Sequence, residues 1–385
     1  MTPPTPQLPA PSGAARKLSL ELTALIRGEI AAAGGWIDFS RYMELALYAP
    51  GLGYYSAGSE KLGAAGDFMT APELSDVLGR ALAATLDREV EAFDAPTVLE
   101  LGGGSGELAA QVLDALSERG RADIMYRILE RSADLRARQH RRLESYGARV
   151  SWIERLPERP VDGAVIANEV IDALPVARFV KRAGDARPIG VVDGGATLSF
   201  REGPHDAALS GAVAALEAKL GRSLPEGYQS EICLLLPVWL EELAASLTRG
   251  SLVFVDYGLT RREYYHEQRS EGTLICHYRH RAHQDPFCYP GLTDLSAWVD
   301  FSACADAAAQ IGLTVAGFTT QAHFLLATAA AEPEAFASVL SDVRERSALQ
   351  TLILPGEMGE RFKVLLLRKG VSSSPLPGRD QRHRL

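Results

Sequence analysis

Cysteine is scarce in this chain: Cys233, Cys276, Cys288 and Cys304 are the only four in 385 residues, and no two form a C-x-x-C pair. So few exclude a disulfide framework and point to a reducing compartment. Positive charge is also short, with 40 Lys and Arg against 49 Asp and Glu and a net charge of −9. That balance argues against a sequence-independent grip on nucleic acid, which relies on basic residues releasing counterions. It leaves room for an acidic pocket that takes a basic substrate. No run approaches the roughly 20 apolar residues of a spanning helix, because Pro, Glu or Arg interrupts each long stretch, so no membrane span is expected. The opening MTPPTPQLPAPSGAARK lacks the basic start and apolar middle of a secretion signal and does not read as an Arg-rich transit peptide. A bacterial cytoplasmic location is the expectation, or the mitochondrial matrix if the protein is eukaryotic.

What is present is a globular composition, 46% hydrophobic, enough for one large domain or two smaller ones. Residues 1–16 and 370–385 read as disordered tails. Residues 17–97 read as an N-terminal helical region ending in a glycine-rich loop, where Thr70 and Glu73 have the spacing of a capping box before a long helix. From Pro96 onward short apolar runs alternate with helical stretches, the pattern of a parallel sheet covered on both faces. Residues 98–175 and 233–369 carry that α/β pattern. Residues 176–232 interrupt it with strand-like pieces that read as a β-rich insertion, and a Tyr-, His- and Arg-rich loop reaching about Leu292 reads as a lid or substrate wall.

The strongest local signal is VLELGGGSGELAAQVL, a strand that passes through Gly102, Gly103, Gly104 and Gly106 straight into a helix. Such turns serve nucleotides, dinucleotides and S-adenosylmethionine alike. Here the spacing is G-x-G-x-G with an acid just before it, Glu100, which fits the methionine and adenosine parts of S-adenosylmethionine better than a pyrophosphate. Glu130 closes the next strand, where a carboxylate can accept both hydroxyls of a ribose. ANEVIDALPV puts Asn168, Glu169 and Asp172 at the carboxyl edge of the sheet, where open α/β folds bind ligands. In the plainer reading Asp172 caps a turn and Glu169 faces water. In the functional reading the two acids grip a cationic nucleophile such as a guanidinium, which no ordinary side chain deprotonates beforehand. CHYRHRAHQDPFC offers His283 as a proton shuttle, and its ligand types are too poorly matched for a metal site to be expected. The arginines 131, 136, 138, 141 and 142 read as a solvated helix face.

Taken together, GYY and GDFMTAPE, ELGGGSGEL, NEVIDALPV, VDYG, DPFCYPGLTDLSAWVDFSA and PGEMGERFKVL make the chain similar to the MidA-like family of methyltransferases, from about Leu18 to Leu367. The resemblance implies a Rossmann-like class I core within an α/β fold, S-adenosylmethionine as cofactor, and a protein arginine as methyl acceptor, such as one on a respiratory complex I subunit. It assigns Gly102, Gly104 and Gly106 to the cofactor loop and Glu130 to the ribose. It also brings Asp67, Phe68 and Thr70 of the GDF-x-T block over the cofactor, and groups Asn168, expected on the cofactor, with Glu169 and Asp172 in the acidic block. Trp298 departs from the pattern, which has a histidine there in most relatives. Two rivals remain: a nucleotide-linked oxidoreductase on the same glycine turn, and an assembly factor that binds the cofactor without turnover.

Overall fold

The computed structural model describes residues 8–57 and 70–385, without the side chains of Ser338 and Leu340. Its centre is a seven-stranded sheet: β1 (Thr97–Leu101), β2 (Met125–Leu129), β3 (Val150–Ile153), β4 (Val161–Asn168), β5 (Leu247–Leu259), β6 (Thr314–Thr320) and β7 (Phe362–Lys369). The spatial order is 3-2-1-4-5-7-6, with β1 to β5 mutually parallel and β7 antiparallel to both its neighbours; Val299–Asp300 adds a short parallel pairing to the end of β5. The chain reverses its direction of travel between β1 and β4, so their carboxyl ends flank a crevice.

Strands of this sheet are apolar on both faces because both are covered. Val98, Ile128, Ile166 and Val253 pack against the helices Val77–Val90 and Glu107–Glu118, while Leu99, Val165, Leu252 and Phe254 pack against Leu236–Ala245 and Phe301–Gln310. A second antiparallel sheet joins Ile37–Asp38 to Asp185–Asp193, Ala177–Arg182 and Gln229–Ile232, with Leu198–Glu202 on Asp185–Asp193. A third, small sheet joins two strands of the loop read as a lid, Arg281–His283 and Ile275–Tyr278, to Asp294–Ser296 just after it. Among the described residues no helix is long and apolar enough to cross a membrane.

Both presumed tails are shorter than their composition implied. A helix already begins at Gly13, capped by Ser12, whose Oγ accepts the Ala15 N–H. Residues 370–385 lie against the free edge of β6: the Gln381 N–H donates to Phe318 O at 2.7 Å and Arg382 Nη1 to Val315 O at 3.1 Å. Leu376, 8% exposed, fills the space that a side chain at Gly317 would occupy. Composition alone could not reveal this, because the segment is held by the unpaired backbone of an edge strand rather than by a pattern of its own.

Candidate active site

β1 is buried along its whole length and ends in the glycine turn. Gly102, Gly104 and Gly106 have φ of +63°, +52° and +87°, the left-handed region that only glycine enters cheaply. Gly103 is needed for a different reason: a Cβ there would stand 2.7 Å from Ile128 Cγ2 and 3.2 Å from Gln139 Nε2. The turn delivers the chain directly into the helix Glu107–Glu118 and leaves that helix's first N–H groups at the carboxyl edge of the sheet. Glu100 lies on the side toward which a Gly103 side chain would point, buried and accepting the Tyr126 hydroxyl at 3.0 Å. Burial raises its pKa to about 8.

Glu130, 7% exposed, ends β2 beside this turn. Its Oε1 accepts the Ser132 N–H at 2.8 Å and its Oε2 accepts Gln139 Nε2 at 3.1 Å, with burial raising its pKa. Each oxygen keeps a lone pair for a vicinal diol. A cradle made of glycines beside a positioned carboxylate fits an adenosyl group. Gln139 escaped the sequence reading because it sits among arginines on the helix Ala133–Arg142. Of the arginines read as a solvated face, Arg131, Arg141 and Arg142 are exposed, while Arg136 is half-buried and pairs with Glu154; Arg142 pairs with Glu107.

Of the N-terminal block, Asp67 and Phe68 lie outside the described residues. Thr70 stands at the N-cap of a short helix, Ala71–Leu74, but its side chain makes no capping bond, so the expected capping box is not formed. The helix also breaks at Ser75 before resuming as Val77–Val90. Glu73 turns instead to the cofactor loop and accepts the Ser105 hydroxyl at 2.5 Å, while Pro72 O accepts Gln111 Nε2 at 2.8 Å. These two bonds tie the segment to the glycine turn and to its helix.

β4 ends at Asn168, and the chain turns through Glu169 at φ +54°. The turn is fixed from β5: Asp256 Oδ2 accepts the N–H groups of Val170, Ile171 and Asp172 at 3.2, 2.9 and 3.3 Å, and its Oδ1 accepts that of Tyr257 at 2.9 Å. Asn168 Nδ2 donates to Glu169 Oε1 at 3.2 Å. Asp172 is 5% exposed and accepts the Tyr257 hydroxyl on Oδ2 at 2.5 Å. Asp294, 2% exposed, joins from the strand Asp294–Ser296 of the small sheet and accepts Ser296 Oγ at 3.3 Å. Burial, reinforced by the charge of Asp172, raises Glu169 to about 8 and Asp294 to about 7. Tyr48 and Tyr55, stacked with ring centroids 5.6 Å apart, stand close enough to feel both Asp172 and Asp294.

Asn168 Oδ1, Asp172 Oδ1 and Asp294 Oδ1 are buried and accept no hydrogen bond from the described residues. Among the described residues the cluster thus holds more acceptors than donors. Of its members, Asn168, Glu169 and Asp172 were legible as a block. Asp256 and Asp294 were not, although each lies in a segment, VDYG or GLTDLSAW, that carried the family resemblance.

His283 stands elsewhere. It is buried opposite Cys276 in the small sheet, its Nδ1 accepts the Asp285 N–H at 3.3 Å, and the titratable groups beside it are Asp285 and His277. The acid that the small sheet brings to Glu169 and Asp172 is Asp294. Trp298 stacks edge-on against Tyr257 at 6.3 Å, one residue removed from Asp172.

A family profile described as "Putative S-adenosyl-L-methionine-dependent methyltransferase" matches residues 77–319. The crystal structure of a superfamily member from Burkholderia thailandensis, bound to S-adenosylhomocysteine, is 40% identical with a TM-score of 0.90, covering 98% of this chain and 100% of that one. The mitochondrial protein arginine methyltransferase NDUFAF7 homolog of Drosophila melanogaster is 29% identical over 98% of this chain and 91% of its own length. The mouse protein arginine methyltransferase NDUFAF7 is 28% identical over 86% and 81%. S-adenosylmethionine is therefore the cofactor, and the oxidoreductase alternative falls. The chain belongs to this family of S-adenosylmethionine-dependent methyltransferases.

Proposed function

We propose that this methyltransferase modifies an arginine side chain of a protein, held by Asn168, Glu169, Asp172 and Asp294, with the cofactor over Gly102–Gly106 and Glu130. The observation that carries this reading is a set of buried oxygens, Asn168 Oδ1, Asp172 Oδ1 and Asp294 Oδ1, that accept no hydrogen bond from the described residues. Buried carboxyls are costly unless a cation and its hydrogen bonds compensate them. A guanidinium brings five N–H donors in a planar fork, against three on an ammonium and one on a hydroxyl. The names of the Drosophila and mouse relatives, both protein arginine methyltransferases, support the same acceptor. A respiratory complex I subunit is the partner that the family resemblance implies.

The bound cofactor supplies an electrophilic methyl on a sulfonium sulfur. Asp172 and Glu169 accept N–H bonds from the guanidinium, which holds its plane, aims one terminal nitrogen and draws positive charge away from that atom. As the new C–N bond forms and the C–S bond breaks, the attacking nitrogen retains one proton too many. Glu169, ionised against the bound cation and hydrogen-bonded to it, is the base that takes that proton. Asp294 and the stacked pair Tyr48 and Tyr55 flank the same cation.

The test is to incubate the protein with methyl-labelled S-adenosylmethionine and an extract of cells lacking this gene, then hydrolyse the acceptor proteins to amino acids. Label in methylarginine is expected. Label confined to methyllysine or to small molecules contradicts the reading.

A further inference from the structure

Gln139 is the buried residue of the helix Ala133–Arg142, with no exposed surface. Its Oε1 accepts the Trp152 indole N–H at 2.9 Å. An indole nitrogen only donates, so this bond fixes which end of the amide is oxygen. The amide nitrogen must then face the other way, and there it meets two acceptors: Gly104 O at 2.9 Å and Glu130 Oε2 at 3.1 Å. Both hydrogens of the amide are used. Trp152 is held in turn by the His140 ring, 3.7 Å away between centroids. One side chain thus connects β3, the glycine turn and the acid at the end of β2.

We propose that Gln139 is a positioning residue of the cofactor site, fixing the left-handed Gly104 peptide and the Glu130 carboxylate relative to each other so that the two halves of the site form one rigid cradle. The inference rests on the reading that Gly102–Gly106 and Glu130 hold the cofactor. Without the amide, Gly104 O and Glu130 Oε2 both lose a donor, and the carboxylate, still held by the Ser132 N–H on Oε1, loses the bond that fixes Oε2 toward a ribose. Preorganisation of this kind is expressed in affinity rather than in the methyl-transfer step.

The test is calorimetric titration of the full chain with S-adenosylhomocysteine, in a cycle of Gln139→Met, Glu130→Gln and the double variant. Gln139→Met should raise Kd by about tenfold to a hundredfold, as expected for losing bonds to a charged group. Because Gln139 acts through Glu130, the two substitutions should be non-additive, with Gln139→Met costing far less in the Glu130→Gln background. A merely structural glutamine would give additive losses, and additivity overturns the proposal. If Gln139→Met does not fold, Gln139→Glu replaces it, since it keeps the volume and the acceptor for Trp152 but lacks the amide donors. A Gln139 variant that binds within twofold of the wild type, while Glu130→Gln binds weakly, overturns this inference alone. Unchanged affinity in Glu130→Gln overturns the placement of the cofactor itself.

Discussion

The Tyr257 hydroxyl donates to Asp172 Oδ2 at 2.5 Å, and the other oxygen of that carboxylate, Oδ1, is buried and accepts no hydrogen bond from the described residues. Tyr257 therefore orients Asp172 without saturating it. The same division of labour recurs at Asp256, whose four accepted backbone bonds hold the turn and leave the ligand to its neighbours.

Glu169→Gln and Asp172→Asn should each lower methyl transfer by about a hundredfold or more, because each removes a charge that acts on the cationic acceptor. Their affinity for S-adenosylhomocysteine should stay within about threefold of the wild type, since neither belongs to the glycine turn or to Glu130. Calorimetry and labelled-methyl transfer on the same preparations separate the two effects. Loss of cofactor binding in either variant contradicts the division of the site drawn here.

The acceptor's KM should depend on pH. In the free pocket Glu169 is raised to about 8 and Asp294 to about 7, so near neutrality both are partly protonated. A guanidinium favours their ionised forms, and its binding must release protons below those values. KM for an arginine peptide is thus expected to fall as pH rises from about 6 to about 8.5 and to level off above. A KM that is flat or rises over this range contradicts the cluster's role.

The glycines should separate binding from stability. Gly104→Val puts a β-branched residue at φ +52° in the face of the turn, and it should abolish S-adenosylhomocysteine binding while the protein remains folded. Gly103→Val drives its side chain toward Ile128 and Gln139 and should lower Tm as well. Equal melting temperatures for the two variants, or binding retained by Gly104→Val, would count against this geometry.

Leu376→Ala should cost about 2 kcal/mol, the ordinary penalty for emptying a buried leucine site. Truncation after Lys369 should cost more, because it also strips Ser373 O and Ser374 O from Arg368 and uncovers the edge of β6. Denaturant titration measures both. No loss in either would mean that the segment contributes nothing to the fold.

The parts of the site that are contiguous in the chain could be read from it. The glycine spacing, an acid at the end of a strand and the block from Asn168 to Asp172 each follow from local chemistry. Gln139 could not be found so: its helix is otherwise polar, and only the approach of β3 and the glycine turn gives its amide three partners. Asp294 reaches the acidic cluster through the third sheet, whereas His283, expected as a proton shuttle, pairs opposite Cys276 in the same sheet. Glu73 has the spacing of a capping residue yet bonds Ser105, because the tertiary partner outcompetes the local one.

The central claim is that a guanidinium occupies the Asn168, Glu169, Asp172 and Asp294 cluster beside the cofactor. A crystal structure of the protein with S-adenosylhomocysteine and an arginine peptide identified by the labelling assay tests it directly. The account predicts guanidinium nitrogens at about 3 Å from Asp172 Oδ1 and Asp294 Oδ1, with one terminal nitrogen facing the cofactor sulfur above Gly102–Gly106. A guanidinium bound away from these carboxyls, or a cofactor bound away from that turn, would contradict it.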